Sequence, residues 1–211
     1  MRKAGVTDYE KFCKEVLSEV GDKPVSFEVF ADEFPEMERQ AKIIASWGEN
    51  IYIKVPITNT KGDPSCQLIR KLNRQGIKVN ITAVCNPLWT TFITLLKGEG
   101  KETLTAKAII ISIFCGRIAD TGRDPEWIFK EVKTGVNHDY QLRNNNIKYL
   151  WASPREVFNI YQAEEAGADI ITVTPELFRK YEKMKGYDLK QLSLDTVKMF
   201  YSDAKESGYK L

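Results

Sequence analysis

The sequence predicts an α/β protein built on a parallel sheet, either closed into a (β/α) barrel or open and doubly wound. Short apolar runs rich in Val, Ile and Thr alternate with charged segments of 3.6-residue periodicity, as buried strands alternate with amphipathic helices. Glycine follows two of the helical segments, at Gly76 and Gly167, as in the short loops that lead from a helix into a strand. This regular alternation favours parallel strands.

The periodicity predicts six strands and a set of helices between them. The strands cover residues 25–31, 50–57, 77–84, 106–114, 147–153 and 169–174. The helices cover residues 8–20, 33–47, 66–75, 127–134 and 154–165, and a helical tail is expected over residues 187–211. No G-x-G-x-x-G follows a strand and no G-x-x-x-x-G-K-[ST] occurs, which disfavours the nucleotide-binding open sheets. We expect one barrel domain over residues 1–211.

Size and charge narrow the classes of function. A chain of 211 residues with 43% hydrophobic and 28% charged residues suits one sizeable core. The net charge of +2 provides no general positive field for binding nucleic acid. No apolar run approaches the roughly 20 residues of a membrane span, and the first residues lack the apolar core of a secretion signal. We expect a cytoplasmic protein that binds neither nucleic acid nor membranes.

The cysteines do not predict a metal site or a disulfide scaffold. Cys13, Cys66, Cys85 and Cys115 lack C-x-x-C spacing, and the chain has a single histidine, His138. Structural zinc sites need closely spaced Cys and His ligands, and disulfide frameworks need regularly spaced cysteines. We expect buried thiols, a surface position for His138, no metal and no cofactor.

Polar residues stand at or near the carboxyl ends of the predicted strands, where a barrel builds its active site. They are Glu28, Lys54, Asn80, Thr82, Ser112, Arg117, Ser153 and Arg155. Taken singly, each of these residues is equally well explained as an ordinary polar residue at the rim of a sheet.

Lys54 is the most informative candidate because it interrupts the apolar segment IYIKVPIT. Burial penalises the charged form of an amine, and a neutral amine is a nucleophile. Such a lysine condenses with a ketone to give a Schiff base, whose protonated imine withdraws electrons so that an adjacent C–C bond can break or form. The alternative is a lysine at the sheet margin whose ammonium group reaches water. The residues beside Lys54 fit both interpretations.

Six segments, taken in order and spacing, resemble the transaldolase family. They are SFEV (26–29), IKVPIT (53–58), NITAV (80–84), ISIFCGRI (111–118), LWASPRE (150–156) and IITVTP (170–175). The resemblance spans nearly the whole chain and is to the short-chain branch, which also contains the fructose-6-phosphate aldolases. It implies a (β/α)8 barrel and a Schiff-base lysine without a metal. The implied reaction transfers a dihydroxyacetone unit between sugar phosphates in the pentose phosphate pathway.

The resemblance assigns roles to the catalytic candidates position by position. The Schiff-base lysine matches Lys54, in the most specific of the motifs. Glu28 and Thr82 match the pair that holds a catalytic water, and a carboxylate with a hydroxyl suits that proton-transfer role. Asn80 matches a residue that hydrogen-bonds substrate hydroxyls.

The resemblance also implies a phosphate site. Arg117 would bind the phosphate with Ser153 and Arg155, because a guanidinium group makes paired hydrogen bonds to phosphate oxygens. Arg155 is a weaker assignment than Arg117, since the arginine follows the serine after an intervening proline, unlike the long-chain pattern. Ser112 joins the substrate-binding set by its position at the end of the fourth strand.

Two motifs of the family have no match in residues 1–211. One is an LDTA-like strand whose aspartate serves as acid–base in C–C cleavage, and the other is a TTNPS-like turn. We therefore expect six of the eight strands and two unpaired sheet edges, which favour pairing with another chain and a homo-oligomer. Three explanations for the two missing strands stay open: another subunit supplies them, the sheet stays open as a reduced fold, or the natural gene product is longer.

Two other functions stay open. One is an aldolase of the fructose-6-phosphate type that releases free dihydroxyacetone. Glu28 disfavours it, because that branch tends to carry glutamine there. The other is a non-catalytic protein that keeps the sugar-phosphate pocket, since loss of one general acid–base costs about 10²- to 10⁴-fold in rate.

Overall fold

The computed structural model of the chain describes residues 5–88, 108–137, 147–208 and 210, and it contains one six-stranded parallel sheet. The strands are β1 (Val25–Glu28), β2 (Ile51–Pro56), β3 (Val79–Val84), β4 (Ile109–Ile113), β5 (Ile147–Trp151) and β6 (Ile170–Ile171). Their order in the sheet is their order in the chain. A doubly wound sheet reverses its order at a switch point, so this sheet is of the barrel type.

The six strands curl into a half-barrel, which confirms the predicted parallel (β/α) barrel with six of its eight strands evident. Within the described part of the chain, β1 pairs only with β2, and β6 pairs only with β5.

Eight described helices accompany the sheet. They are α1 (Tyr9–Val20), α2 (Phe34–Ala45), α3 (Cys66–Arg74), α4 (Cys115–Ala119), α5 (Pro125–Asn137), α6 (Phe158–Glu165), α7 (Pro175–Met184) and α8 (Leu189–Ser207). The Asp8 carboxylate caps α1 by accepting from the Lys11 N–H, and the Thr174 hydroxyl and the Asp188 carboxylate cap α7 and α8 in the same way. The chain forms two compact units, residues 1–172 and residues 173–211, of which the second contains α7 and α8.

Several predicted boundaries differ from the structure. The last strand is assigned to two residues instead of six, although the Thr172 N–H still donates to Trp151 O at 3.1 Å. Helix α6 begins at Phe158 instead of residue 154, after a loop that contains Pro154. Helix α4 was not predicted because five residues are too short to show a period. His138, residues 106–107 of the fourth predicted strand, and residues 209 and 211 of the tail lie outside the described residues.

The two faces of the sheet have different surroundings, as strand alternation requires. One face packs against the helices through a large core that includes Ile53, Ile81, Phe129 and Trp151, with the last two rings 5.5 Å apart. The opposite, inner face carries a smaller apolar cluster of strand residues. Its buried members are Tyr52, Ala108, Ile110, Leu150 and Ala152.

The prediction of buried thiols is correct for Cys13 and Cys115 but wrong for Cys85, which is exposed, and Cys66 is half-buried. Cys85 follows the last residue of β3 and so leaves the sheet. Across residues 5–88, 108–137, 147–208 and 210, no group of three or more His, Cys, Asp and Glu side chains could hold a metal ion. None of the described helices combines the length and the apolar character that crossing a membrane requires.

The junction between α4 and the end of β5 leaves no room for a side chain at Gly116. A Cβ atom on Gly116 would lie 1.6 Å from the carbonyl oxygen of Ser153, and the Gly116 N–H donates to Ala152 O at 3.3 Å. Ser153 itself has a φ of 59°, in the left-handed region. The glycine therefore permits a close backbone approach that sets the positions of Ser153 and α4.

We expect Gly116→Ala to lower the free energy of unfolding by about 1–3 kcal/mol or more, because a backbone carbonyl cannot move aside as a side chain can. Gly48→Ala is the matched control, since the three atoms nearest to its Cβ would all belong to side chains, namely Asn50 Oδ1 at 3.1 Å and two Ile51 carbons at 3.7 and 3.8 Å. Urea titrations of both variants measure the difference. Equal stability of Gly116→Ala and the parent chain would contradict the close approach.

Candidate active site

Glu28, Lys54 and Asn80 form a row across three neighbouring strands. Glu28 is in register with Lys54, and Lys54 with Asn80. Lys54 lies between Ile53 and Val55, which both belong to the helix-covered core, so its side chain is on the inner face. The structure thus brings three predicted site residues together in one row across the sheet, with Glu28 at the carboxyl end of β1.

The Lys54 amine lies beside a carboxylate and remains accessible. Its Nζ is 3.8 Å from Glu28 Oε2, and the side chains are 28% and 50% exposed respectively. Because both partners contact water, this ion pair contributes little to the stability of the fold. The contact places an amine and a carboxylate, two groups that can exchange protons, side by side.

Asn80 is held in a chain of hydrogen bonds that runs from the exposed Ser26 to the buried Ser112. Its Nδ2 donates to Ser26 Oγ at 3.0 Å, and its Oδ1 accepts from Ser112 Oγ at 2.7 Å. Asn80 and Ser112 are almost fully buried. Ser112, predicted as a substrate-binding residue, here fixes the Asn80 amide. Ser26 was not predicted, although its position two residues before Glu28 places it on the same strand face.

Thr82 follows Asn80 on the same face of β3 and is paired in register with Pro56. Its hydroxyl is buried and has no hydrogen-bond partner among the residues that the structure describes. An unpaired buried hydroxyl costs about 1–3 kcal/mol, so a polar group that reaches it is bound favourably. The next residue, Ala83, has a φ of 62°, and the register of β3 with β4 shifts between Ile81 and Val84.

Arg117 lies on the same side of the strand ends as Lys54, with Phe114 between them. The Phe114 ring centroid is 5.8 Å from Lys54 Nζ and 5.0 Å from Arg117 Cζ. Both distances are within the range of a cation–π contact. Phe114 was not predicted, but its place directly after β4 is the signal that could have identified it.

Arg155 is engaged by a carboxylate. Its Nη2 is 2.7 Å from Oδ2 of Asp120, the residue that follows α4. Its backbone N–H and that of Glu156 donate to Asn159 Oδ1. Arg155 therefore connects the end of α4 to the loop that begins at Ser153, and a phosphate would compete with Asp120 for its guanidinium group.

The loops after β1 and β2 are tied together beside this row. The Asp32 carboxylate accepts from the backbone N–H and the hydroxyl of Thr60, both at 2.7 Å. These hydrogen bonds lower the pKa of Asp32. An ion pair between Lys61 and Glu33 also joins these two loops.

Comparison with known proteins identifies the family. The sequence model of the Transaldolase/Fructose-6-phosphate aldolase family matches residues 4–211. The chain belongs to this family. The resemblance seen in the six sequence segments is thereby confirmed, and the family is one of aldolase and transaldolase enzymes.

Curated relatives of the transaldolase/fructose-6-phosphate aldolase family align with most of the chain. The "Probable transaldolase 2" of Listeria monocytogenes is 33% identical over 172 residues, which are 82% of this chain and 70% of the relative. The "Probable transaldolase" of Thermoplasma volcanium is 33% identical over 80% of this chain and 67% of its own length. That of Streptococcus equi subsp. zooepidemicus is 30% identical over 82% and 72%.

The thiol of Cys85 is expected to report on the charge at Arg117. Although Cys85 is exposed, desolvation by the groups around it raises the pKa of its thiol, while the positive charge of Arg117 opposes that rise. Neutralising Arg117, by Arg117→Gln or by a bound phosphate, raises the pKa further and lowers the thiolate fraction at pH 8. Alkylation of Cys85 by iodoacetamide, followed by peptide mass spectrometry, should become about two- to threefold slower.

Cys66, on α3, provides the internal control in the same digest, and its alkylation should not respond to phosphate. A Cys85 rate that is the same with and without fructose 6-phosphate would contradict anion binding at Arg117.

Proposed function

We propose that the chain is a transaldolase that transfers a dihydroxyacetone unit between sugar phosphates through a Schiff base on Lys54. The observation that carries the proposal is the row of Glu28, Lys54 and Asn80, with the amine 3.8 Å from the carboxylate. Membership of an aldolase and transaldolase family supports the same chemistry.

The first step is condensation of the Lys54 amine with the carbonyl carbon of a ketose phosphate. The amine adds to that carbon to give a carbinolamine, which loses water to form the protonated imine. Glu28 and Thr82 would hold a water that moves the protons, because a carboxylate and a hydroxyl can together receive and return them. The unpaired hydroxyl of Thr82 supports this role.

The second step is cleavage of the C–C bond next to the imine. The bond between the α and β carbons of the imine breaks and its electron pair moves towards the imine nitrogen, while the hydroxyl on the β carbon gives its proton to water and an aldose phosphate leaves. The resulting enamine attacks an acceptor aldehyde to form the new C–C bond, and hydrolysis then frees the lysine. Asn80, held by Ser26 and Ser112, would orient substrate hydroxyls without adjusting its own position.

Arg117 would bind the substrate phosphate. It is exposed on α4 and shares the Phe114 ring with Lys54, so a substrate bound to both residues would lie along one edge of the sheet. Ser153 would add a hydroxyl, and Arg155 would join once phosphate displaces Asp120. Guanidinium groups suit this role because their donors match the spacing of phosphate oxygens.

The remaining parts of the proposal concern context. We place the reaction in the pentose phosphate pathway of the cytoplasm and treat residues 1–211 as one barrel domain with a helical tail at residues 187–211. The unpaired edges of the described sheet favour a homo-oligomer, since such edges pair readily with another chain.

Borohydride trapping tests the Schiff base directly. Incubation with fructose 6-phosphate and reduction should add one substrate-derived mass to the intact protein, and peptide mapping should place it on Lys54. Lys54→Arg keeps the charge but removes the nucleophile, so it should abolish the adduct. Glu28→Gln should slow adduct formation by about 10²- to 10⁴-fold, because it removes one acid–base group.

Circular dichroism of Lys54→Arg verifies its fold. A folded parent chain that gains no adduct would refute the Schiff-base proposal and leave the non-catalytic alternative.

Transfer and simple cleavage differ in their need for an acceptor. For a transaldolase, release of glyceraldehyde 3-phosphate from fructose 6-phosphate should depend on an added aldose acceptor and yield no free dihydroxyacetone. A coupled assay with and without erythrose 4-phosphate measures both products. Free dihydroxyacetone formed at the same rate without the acceptor would instead identify an aldolase.

A further inference from the structure

The backbone of Glu28 faces the side of β1 on which no other described strand pairs. In a parallel sheet, the backbone groups of successive residues point alternately to the two sides of the strand. The Val25 N–H donates to Asn50 O at 3.2 Å, and the Val29 N–H donates to Lys54 O at 3.1 Å, both towards β2. Glu28 lies at the alternate position in the strand, so its N–H and C=O point away from β2.

One tyrosine hydroxyl meets both of these groups. Tyr9 Oη accepts from the Glu28 N–H at 3.1 Å and donates to the Glu28 C=O at 3.0 Å. A hydroxyl has one donor and two acceptor positions, so it can serve both groups at once. Tyr9 thus makes, at this one residue, the contacts that a neighbouring strand would make.

The Tyr9 side chain is itself held in place. Tyr9 is the first residue of α1, next to the Asp8 cap. Its ring packs edge-to-face on Phe30 with centroids 5.5 Å apart and lies 6.4 Å from the ring of Trp47. Burial raises the pKa of Tyr9, as does the neighbouring Cys13 thiol, so the hydroxyl keeps the proton that it donates.

Anchoring the backbone matters at Glu28 because its side chain is half exposed and has little packing to fix it. The turn that follows is also anchored, since Gln40 Oε1 accepts from the N–H groups of Phe30 and Ala31 at 2.9 and 3.1 Å. An acid–base group acts efficiently only while it stays within reach of the proton that it moves.

We propose that Tyr9 is a positioning residue, whose hydroxyl fixes the Glu28 backbone at the edge of the sheet and so keeps the Glu28 carboxylate beside the Lys54 amine. The inference rests on the proposed function, because it concerns the proton transfers of imine formation at Lys54.

Tyr9→Phe tests the inference, because it removes the hydroxyl and keeps the ring. We expect the rate of adduct formation with fructose 6-phosphate, measured by quenching with borohydride, to fall by about 10- to 10²-fold. The half-saturating concentration should change by less than about twofold, since the phosphate is bound near Arg117. In a Glu28→Gln background, Tyr9→Phe should cause no further loss, because a residue that acts through Glu28 cannot act without it. Tyr161→Phe, on the exposed side of α6, is the matched control and should match the parent rate.

Each other outcome overturns the inference. An unchanged rate in Tyr9→Phe, or the same loss with and without Glu28, would show that the hydroxyl does not act through the carboxylate. A parent chain that forms no adduct refutes the proposed function and this inference with it, and that failure is visible before any variant is made.

Hydrogen exchange of the parent chain provides a test that needs no substrate. The Glu28 amide of the parent chain should exchange at least about tenfold more slowly than an unstructured amide, because it donates to Tyr9. Exchange at the unstructured rate would overturn the inference, whereas protection that is lost in Tyr9→Phe would support it.

Discussion

The in-register parallel pairing of β1, β2 and β3 is the constraint on which the site depends. Strand alternation places Glu28, Lys54 and Asn80 on the inner face, and the register places them side by side. The apolar neighbours of Lys54 are essential to this arrangement, because burial of Ile53 and Val55 against the helices fixes which way the lysine points. A slip of one residue would reverse every side chain of the strand and bury the amine in the core.

Within the described part of the chain, β1 has a neighbouring strand on one side only. Side chains therefore have to hold its other edge. Side chains from three directions hold it there. Tyr9 contacts Glu28, Gln40 contacts the following turn, and Asn50 Nδ2 donates to the carbonyls of Gly21 and Lys23. The Tyr9 contact satisfies backbone groups of the edge itself, and the other two contacts fix the segments that precede and follow β1. These contacts act on both ends of β1, with Glu28 at its carboxyl end.

Sequence reasoning predicted the six strands and six of the eight described helices, because each has a clear period and several residues, but it did not predict α7. It also predicted the row of polar strand residues, since alternation alone shows that Lys54 faces away from Ile53 and Val55. Helix α4 and the start of α6 were missed or misplaced because a five-residue helix and a proline-containing loop have no usable period. Tyr9 could not be predicted, because its contact with Glu28 joins residues 19 positions apart through the packing of α1.

The candidate site consists of two sets of side chains, which lie on or after different strands. The side chains proposed to act on the carbonyl lie on β1 to β3, whereas the guanidinium groups lie after β4 and β5, with Phe114 between the two sets. A phosphorylated sugar has the same division, with a carbonyl near one end and a phosphate at the other. Binding energy from the phosphate can then hold the carbonyl against the amine, which converts an encounter between two molecules into a reaction within one complex. This arrangement depends on two features of one sheet. The register of β1 to β3 aligns their side chains, and the close approach of Gly116 to Ser153 sets the positions of the segments after β4 and β5.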